Sequence, residues 1–110
     1  MTELTSTTGM SSSELVEVAG ITYRQLDYWT RHGHLEPIPG TDRRGHGYPR
    51  RYPTTEAPHA WLMGQLMTVG IRDLDLAADL ARRLRHTNRA DIELERRYTL
   101  RLTLTNGARR

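Results

Sequence analysis

Apolar and polar positions alternate along this chain with two different periods, and the change of period divides it. Helical periods recur between residues 11 and 85, and residues 91–105 carry the two-residue period of a strand. The first helical signal opens at Ser11-Ser12-Ser13-Glu14, where a serine precedes a glutamate by three residues. That spacing is a capping box: the hydroxyl takes the glutamate amide, and the carboxylate reaches back to the serine amide. Leu15, Val18 and Ala19 then form an apolar stripe over two turns, and Gly20 supplies a left-handed stop. A second capping box follows at Thr22 and Gln25, with Ile21 and Leu26 placed as a hydrophobic staple around it. The predicted helix runs to Arg31 and ends at Gly33. Leu26 and Trp29 face inward with Ile21, which leaves Tyr23, Arg24, Asp27, Tyr28 and Arg31 for the outside. Two short capped helices joined by a tight glycine turn form a helix-turn-helix.

The next stretch is built from turn formers. Leu35-Glu36-Pro37-Ile38 is apolar at alternate positions, Pro39 to Tyr48 is rich in glycine, and Pro49-Arg50-Arg51-Tyr52-Pro53 closes the segment. The pattern predicts a short hairpin with a long tip, its prolines suited to edge strands. A basic hairpin in this place is a wing. Thr55 is the expected cap of a third helix, with Pro58 in its first turn. Trp61, Leu62, Leu66 and Val69, with Met63 and Met67 beside them, are expected in the core. Gly70 ends that helix. A fourth runs from about Leu74 to Arg85, with Leu76, Leu80 and Leu84 four apart and Ala77 and Ala81 alongside.

From residue 91 to residue 105 the even positions are Ile92, Leu94, Arg96, Tyr98, Leu100, Leu102 and Leu104. Arg96 alone breaks the apolar series, and no glycine, proline or asparagine interrupts it. This reads as one long strand with one apolar face. Such a strand is not stable alone in water. It must pair with the wing, fold back on itself, or meet a strand from another chain.

Charge sharpens this picture. The chain has 110 residues and a formal net charge of +3 from sixteen basic and thirteen acidic side chains, and every basic one is arginine. Arg43, Arg44, Arg50 and Arg51 stand in the wing segment without an acid among residues 43–51. From Arg72 onward ten arginines face six acids. Arginine's planar fork takes two acceptors at once, which suits phosphate and guanine. Concentrated in one loop, it points to an anionic partner, nucleic acid or membrane.

Other chemistry is excluded or weak. There is no cysteine, hence no disulfide framework, thiolate metal site or cysteine nucleophile. No run approaches eighteen apolar residues. The first ten residues are uncharged except for Glu3 and lack the basic start and apolar stretch of a signal peptide, so a cytoplasmic, nucleoid-associated protein is expected. His32, His34, His46 and His59 have no cluster of carboxylates or cysteines around them, and solvent-facing or phosphate-facing histidine is expected rather than a metal site. Gly45-His46-Gly47 lacks the lysine and hydroxyl residue of a phosphate-binding loop, and Glu93 and Glu95 point outward from a strand. No catalysis and no cofactor are expected. The helices lack the broad exposed apolar face that a membrane-surface protein needs.

In Gly20-Ile21-Thr22, Gln25-Leu26-Asp27-Tyr28-Trp29, Gly33-His34-Leu35-Glu36-Pro37, Arg50-Arg51-Tyr52 and Gly70, the sequence resembles the MerR family of winged-helix regulators. The resemblance spans most of residues 11–85. It implies a mainly α winged helix-turn-helix that binds double-stranded DNA. Thr22, Tyr23 and Arg24 would enter the major groove, Arg24 with its fork on guanine, while Tyr28 and Arg31 face the backbone. Arg43, Arg44, Arg50 and Arg51 would grip phosphates or a minor groove. Asp27 stands where the family often has arginine, and its expected role is to orient Arg24. The family's long dimerising helix and effector domain have no counterpart in residues 86–110.

The expected organisation is a disordered lead at 1–10, a winged-helix DNA-binding domain at 11–86 and a C-terminal strand at 87–110. That strand is expected to make a homodimer through Ile92, Leu94, Tyr98, Leu100, Leu102 and Leu104, replacing the missing coiled coil. The function expected is sequence-specific regulation of transcription, with RNA polymerase or a recombinase as a possible further partner. One alternative is a phage-type excisionase that bends DNA. Another is a protein-interaction adaptor using the C-terminal strand.

Overall fold

The computed structural model describes residues 9–41, 50–94 and 97–105. Four helices form the body, with two small antiparallel strand pairs attached. The first pair is β1 (Met10–Ser11) with β2 (Arg51–Tyr52). The expectation of a disordered lead through residue 10 is therefore corrected at its end: Gly9 and Met10 are part of the fold. Gly9 has a φ of +83° and lies against the Tyr52 carbonyl, where a Cβ would collide with the backbone. Residues 1–8 lie outside the described residues.

Helix α1 (Ser12–Ala19) and helix α2 (Tyr23–Arg31) start as the sequence predicts. Ser11 Oγ accepts from the Glu14 amide at 3.1 Å, and the Ser11 amide donates to Glu14 Oε1 at 2.8 Å. Thr22 and Gln25 make the same reciprocal pair at 3.0 and 2.9 Å. Each box satisfies amides that have no partner within the helix. Gly20 closes α1 in the left-handed region. Ile21, Leu26 and Trp29 are buried together, which fixes the angle at which the chain enters α2.

Helix α3 (Glu56–Thr68) corrects two expectations. The Thr55 side chain makes no capping hydrogen bond. The first amides go instead to backbone carbonyls, Glu56 to Pro53 and Ala57 to Thr54. Ala57, Ala60, Leu62, Met63 and Leu66 face the core, but Trp61 is 43% and Val69 74% exposed. At a 100° step, residue 61 falls beside the buried stripe rather than on it. Helix α4 (Leu74–Thr87) runs two residues beyond the expected end and past the boundary set at residue 86. Asp73 caps it through the Leu76 amide at 3.1 Å, and Asn88 ends it in the left-handed region at φ +63°.

The C-terminal segment is a hairpin, not one strand: β3 (Arg89–Leu94) pairs antiparallel with β4 (Tyr98–Thr103). Ala90 stands opposite Leu102, Ile92 opposite Leu100 and Leu94 opposite Tyr98, so even positions meet even positions. The apolar face of the first strand thus continues as the apolar face of the second. Alternation across the connection is preserved, and periodicity cannot reveal the turn. The hairpin supplies its own ladder, so a strand from another chain is not needed to complete it.

Candidate nucleic-acid interface

The helix-turn-helix presents one face of α2 outward because its other face is buried. Leu26 and Trp29 are buried in the core, and Thr30 is buried beside them. Thr30 Oγ1 donates to the Leu26 carbonyl at 2.7 Å and shares a 2.8 Å hydrogen bond with Tyr52 Oη. Tyr52 is fully buried at the base of the wing. This link between recognition helix and wing base was not visible in the sequence, where Thr30 reads as a polar residue at a helix end. Helical geometry offered one signal: Thr30 lies four residues after Leu26 and so shares its face.

The exposed side carries Tyr23, Arg24, Asp27, Tyr28 and Arg31, as the sequence predicts. Thr22 is exposed too, but its hydroxyl is committed to the capping box. Asp27 departs from expectation. It does not hold Arg24. Its Oδ2 accepts from Arg31 Nε at 3.0 Å, and its Oδ1 accepts from Arg50 Nη1 at 3.1 Å. Residues 27 and 31 are one turn apart, an ideal ion-pair spacing on a helix. Arg50 reaches across from the wing base. Burial pushes the Asp27 carboxyl up, but hydrogen bonds and charge from Arg31 and Arg50 outweigh it, and the group sits below its ordinary value. Arg24 forms no ion pair or side-chain hydrogen bond among the described residues, so its guanidinium is available.

Tyr28 packs against His32, ring centroids 3.9 Å apart, and His32 Nδ1 lies 2.8 Å from the Tyr28 carbonyl. His34, two residues on, pairs with Asp75 at 3.0 Å. The two histidines flanking Gly33 therefore serve different neighbours. His59 corrects a further expectation. It faces neither solvent nor phosphate but is 4% exposed on α3, and its Nδ1 has no hydrogen-bond partner among the described residues. Burial, together with the charges of Arg85 and Arg82, pushes its pKa down to about 4. Beside it, burial raises the Glu56 carboxyl, although Glu56 accepts from the Glu36 amide at 3.0 Å and feels Arg85.

The hairpin expected for the wing is corrected at its base: residues 35–38 form no strand, and β2 pairs with β1 instead. Residues 38–41 are nevertheless tied to Arg51. The Ile38 amide donates to the Arg51 carbonyl at 2.7 Å, and Thr41 Oγ1 takes the Arg51 amide at 3.1 Å while donating to the Ile38 carbonyl at 2.7 Å. Arg51 also donates to the Gly9 carbonyl at 3.3 Å, tying the N-terminal strand to the wing. Arg43, Arg44 and His46 lie outside the described residues. Among the dimerisation residues expected from the sequence, Leu102 and Leu104 pack partly against the chain's own α3 and α4. Ile92 is half-buried, and Leu94, Tyr98 and Leu100 are exposed on the hairpin's apolar face.

Two capped helices at a tight turn, an outward-facing arginine on the second, and a wing sewn to that helix define a winged helix-turn-helix, a class of nucleic-acid-binding regulatory domain. Residues 10–71 match the family model for the MerR HTH family regulatory proteins, and the chain belongs to that family. No curated protein matches the chain. None of the described helices is long and apolar enough to cross a membrane.

Proposed function

We propose that this protein binds double-stranded DNA in a sequence-specific way as a homodimeric regulator of transcription. The observation that carries the reading is the state of Arg24. It stands on the first turn of α2, the end that enters the major groove in helix-turn-helix proteins, and nothing among the described residues engages it. Its fork matches guanine O6 and N7. Thr22 and Tyr23 flank it at the same end. Tyr28 and Arg31, further along the helix, contact phosphates. Arg43, Arg44, Arg50 and Arg51 grip the backbone or a minor groove from the wing, with Arg50 and Arg31 pre-positioned by Asp27.

Homodimer formation rests on the hairpin. Leu94, Tyr98 and Leu100 expose an apolar face that has no cover among the described residues. Its base, Ala90 with Leu102, is packed on the body, so the exposed end is held in a fixed direction. A second copy of the same face is the self-complementary partner that a two-fold dimer requires.

Selection from a random duplex pool tests the function. A regulator of this kind enriches an inverted repeat, with half-sites about one helical turn apart. Cooperative occupancy of direct repeats with bending favours the excisionase instead. A pool without enrichment contradicts both.

A further inference from the structure

A second cationic surface lies away from the first turn of α2. The last turns of α4 and the start of β3 enclose an open trough of about 690 Å³, lined by Arg82, Arg83, His86, Thr87, Arg89, Ala90 and Asp91. Its acids are already engaged: Asp91 is held by Arg101 at 2.9 Å, and Asp79 beside it by Arg83 at 3.0 Å. Arg82 and Arg89 are exposed and form no ion pair among the described residues. The helix dipole accounts for cations in the last turn of α4. It does not account for Arg89, which stands on the strand.

Resting on the DNA reading above, we propose that this trough is a second, sequence-independent phosphate-binding surface for duplex flanking the site under α2. Two observations favour a nucleic-acid backbone over an acidic protein. The cations are arginines spread along an open trough, which suits a row of phosphates. The lining has no tyrosine, tryptophan or large aliphatic side chain to act as the apolar anchor that protein interfaces use. Position agrees. Arg82 also lines a crevice with Gly33 and His34, just past the end of α2. The helix has nine residues and is therefore about 13 Å long. With its N-terminus in a major groove about 12 Å wide, its other end stands near the bounding backbone.

The test compares salt slopes of binding on random duplexes of roughly one and three helical turns, about 10 and 30 base pairs. The full-length chain is used in three forms: wild type, Arg82→Gln with Arg89→Gln, and Arg82→Lys with Arg89→Lys. On the long duplex the glutamine pair lowers the slope by about two, since each lost phosphate contact removes ~0.9. Affinity near physiological salt falls with it, the short duplex is unaffected, and the lysine pair keeps the wild-type slope. Equal slopes for wild type and glutamine pair on both lengths overturn the trough while leaving the DNA reading intact. So does equal loss on both lengths. Poly-glutamate binding that depends on these two arginines, with duplex slopes unchanged, overturns it in favour of an acidic protein. A wild-type chain that binds neither duplex overturns the DNA reading and the trough with it.

Discussion

Thr30 Oγ1 and Tyr52 Oη share a buried hydrogen bond of 2.8 Å that joins the recognition helix to the base of the wing. The two partners are not equivalent. Thr30 keeps a second bond to the Leu26 carbonyl, whereas Tyr52 Oη has no other partner among the hydrogen bonds of the described residues. Tyr52→Phe is thus expected to cost about 1 kcal/mol, and Thr30→Val about 1–3 kcal/mol, because it strands a buried hydroxyl. Urea denaturation of both single variants and the double variant measures this. Equal costs that add without coupling would sink the idea that this bond carries the link.

Asp27 holds Arg31 and Arg50 on the face proposed to meet DNA, and it places a negative charge there. Asp27→Ala removes that negative charge and its repulsion of phosphate. Random duplex is expected to bind more tightly, with a salt slope steeper by about one. Discrimination between selected and random DNA should fall, because Asp27 no longer positions Arg31 and Arg50. Fluorescence anisotropy at several salt concentrations reads both quantities. Weaker binding to random DNA would contradict the assignment.

His59 gives the fold a pH dependence of definite sign. Its pKa is about 4 in the folded chain, against an ordinary value of 6.5. The unfolded chain takes up its proton first. Stability is therefore full above about 6.5 and is lost as pH falls towards 4, by on the order of 2–3 kcal/mol. Glu56 works the other way, since a raised carboxyl pKa favours the folded chain as pH falls through the carboxylate range. The difference between wild type and a His59 variant across the window from 6.5 to about 5 thus isolates the histidine. His59→Gln should flatten the melting temperature across that window. An unchanged slope in the variant would assign the dependence elsewhere.

The exposed end of the hairpin makes the dimer testable. Leu94→Asp with Leu100→Asp places two charges on the apolar face and leaves the ladder and the packed base in place. Sedimentation at micromolar concentration is expected to show a wild-type dimer and a variant monomer. A wild-type monomer at that concentration removes the dimer from the account.

Much of the fold is legible because local rules determine it. Both capping boxes, the staple at Ile21 and Leu26, and the glycine stop at Gly20 are short-range devices, and each forms as its residues predict. Contacts between distant segments are not legible in this way. Thr30 with Tyr52, Asp27 with Arg50, and Gly9 with the Tyr52 carbonyl join positions twenty or more residues apart. Trp61 has the spacing of a core residue and is half out, since apolar character does not determine which side of a stripe is covered. The hairpin is hidden for a geometric reason: matching parity of its paired residues lets one alternation run through both strands. Arg96, the single break, falls between them.

Arg24, on the first turn of α2, is proposed to read a base. The most direct measurement is the affinity of Arg24→Ala, against wild type, for the selected duplex, for each single-base variant of it, and for random DNA. The expected result is a loss of about 1–3 kcal/mol on the selected duplex, relaxed preference at one base pair in each half-site, and little change on random DNA. Equal loss on selected and random DNA, with the base preference intact, would contradict it and make Arg24 a phosphate contact.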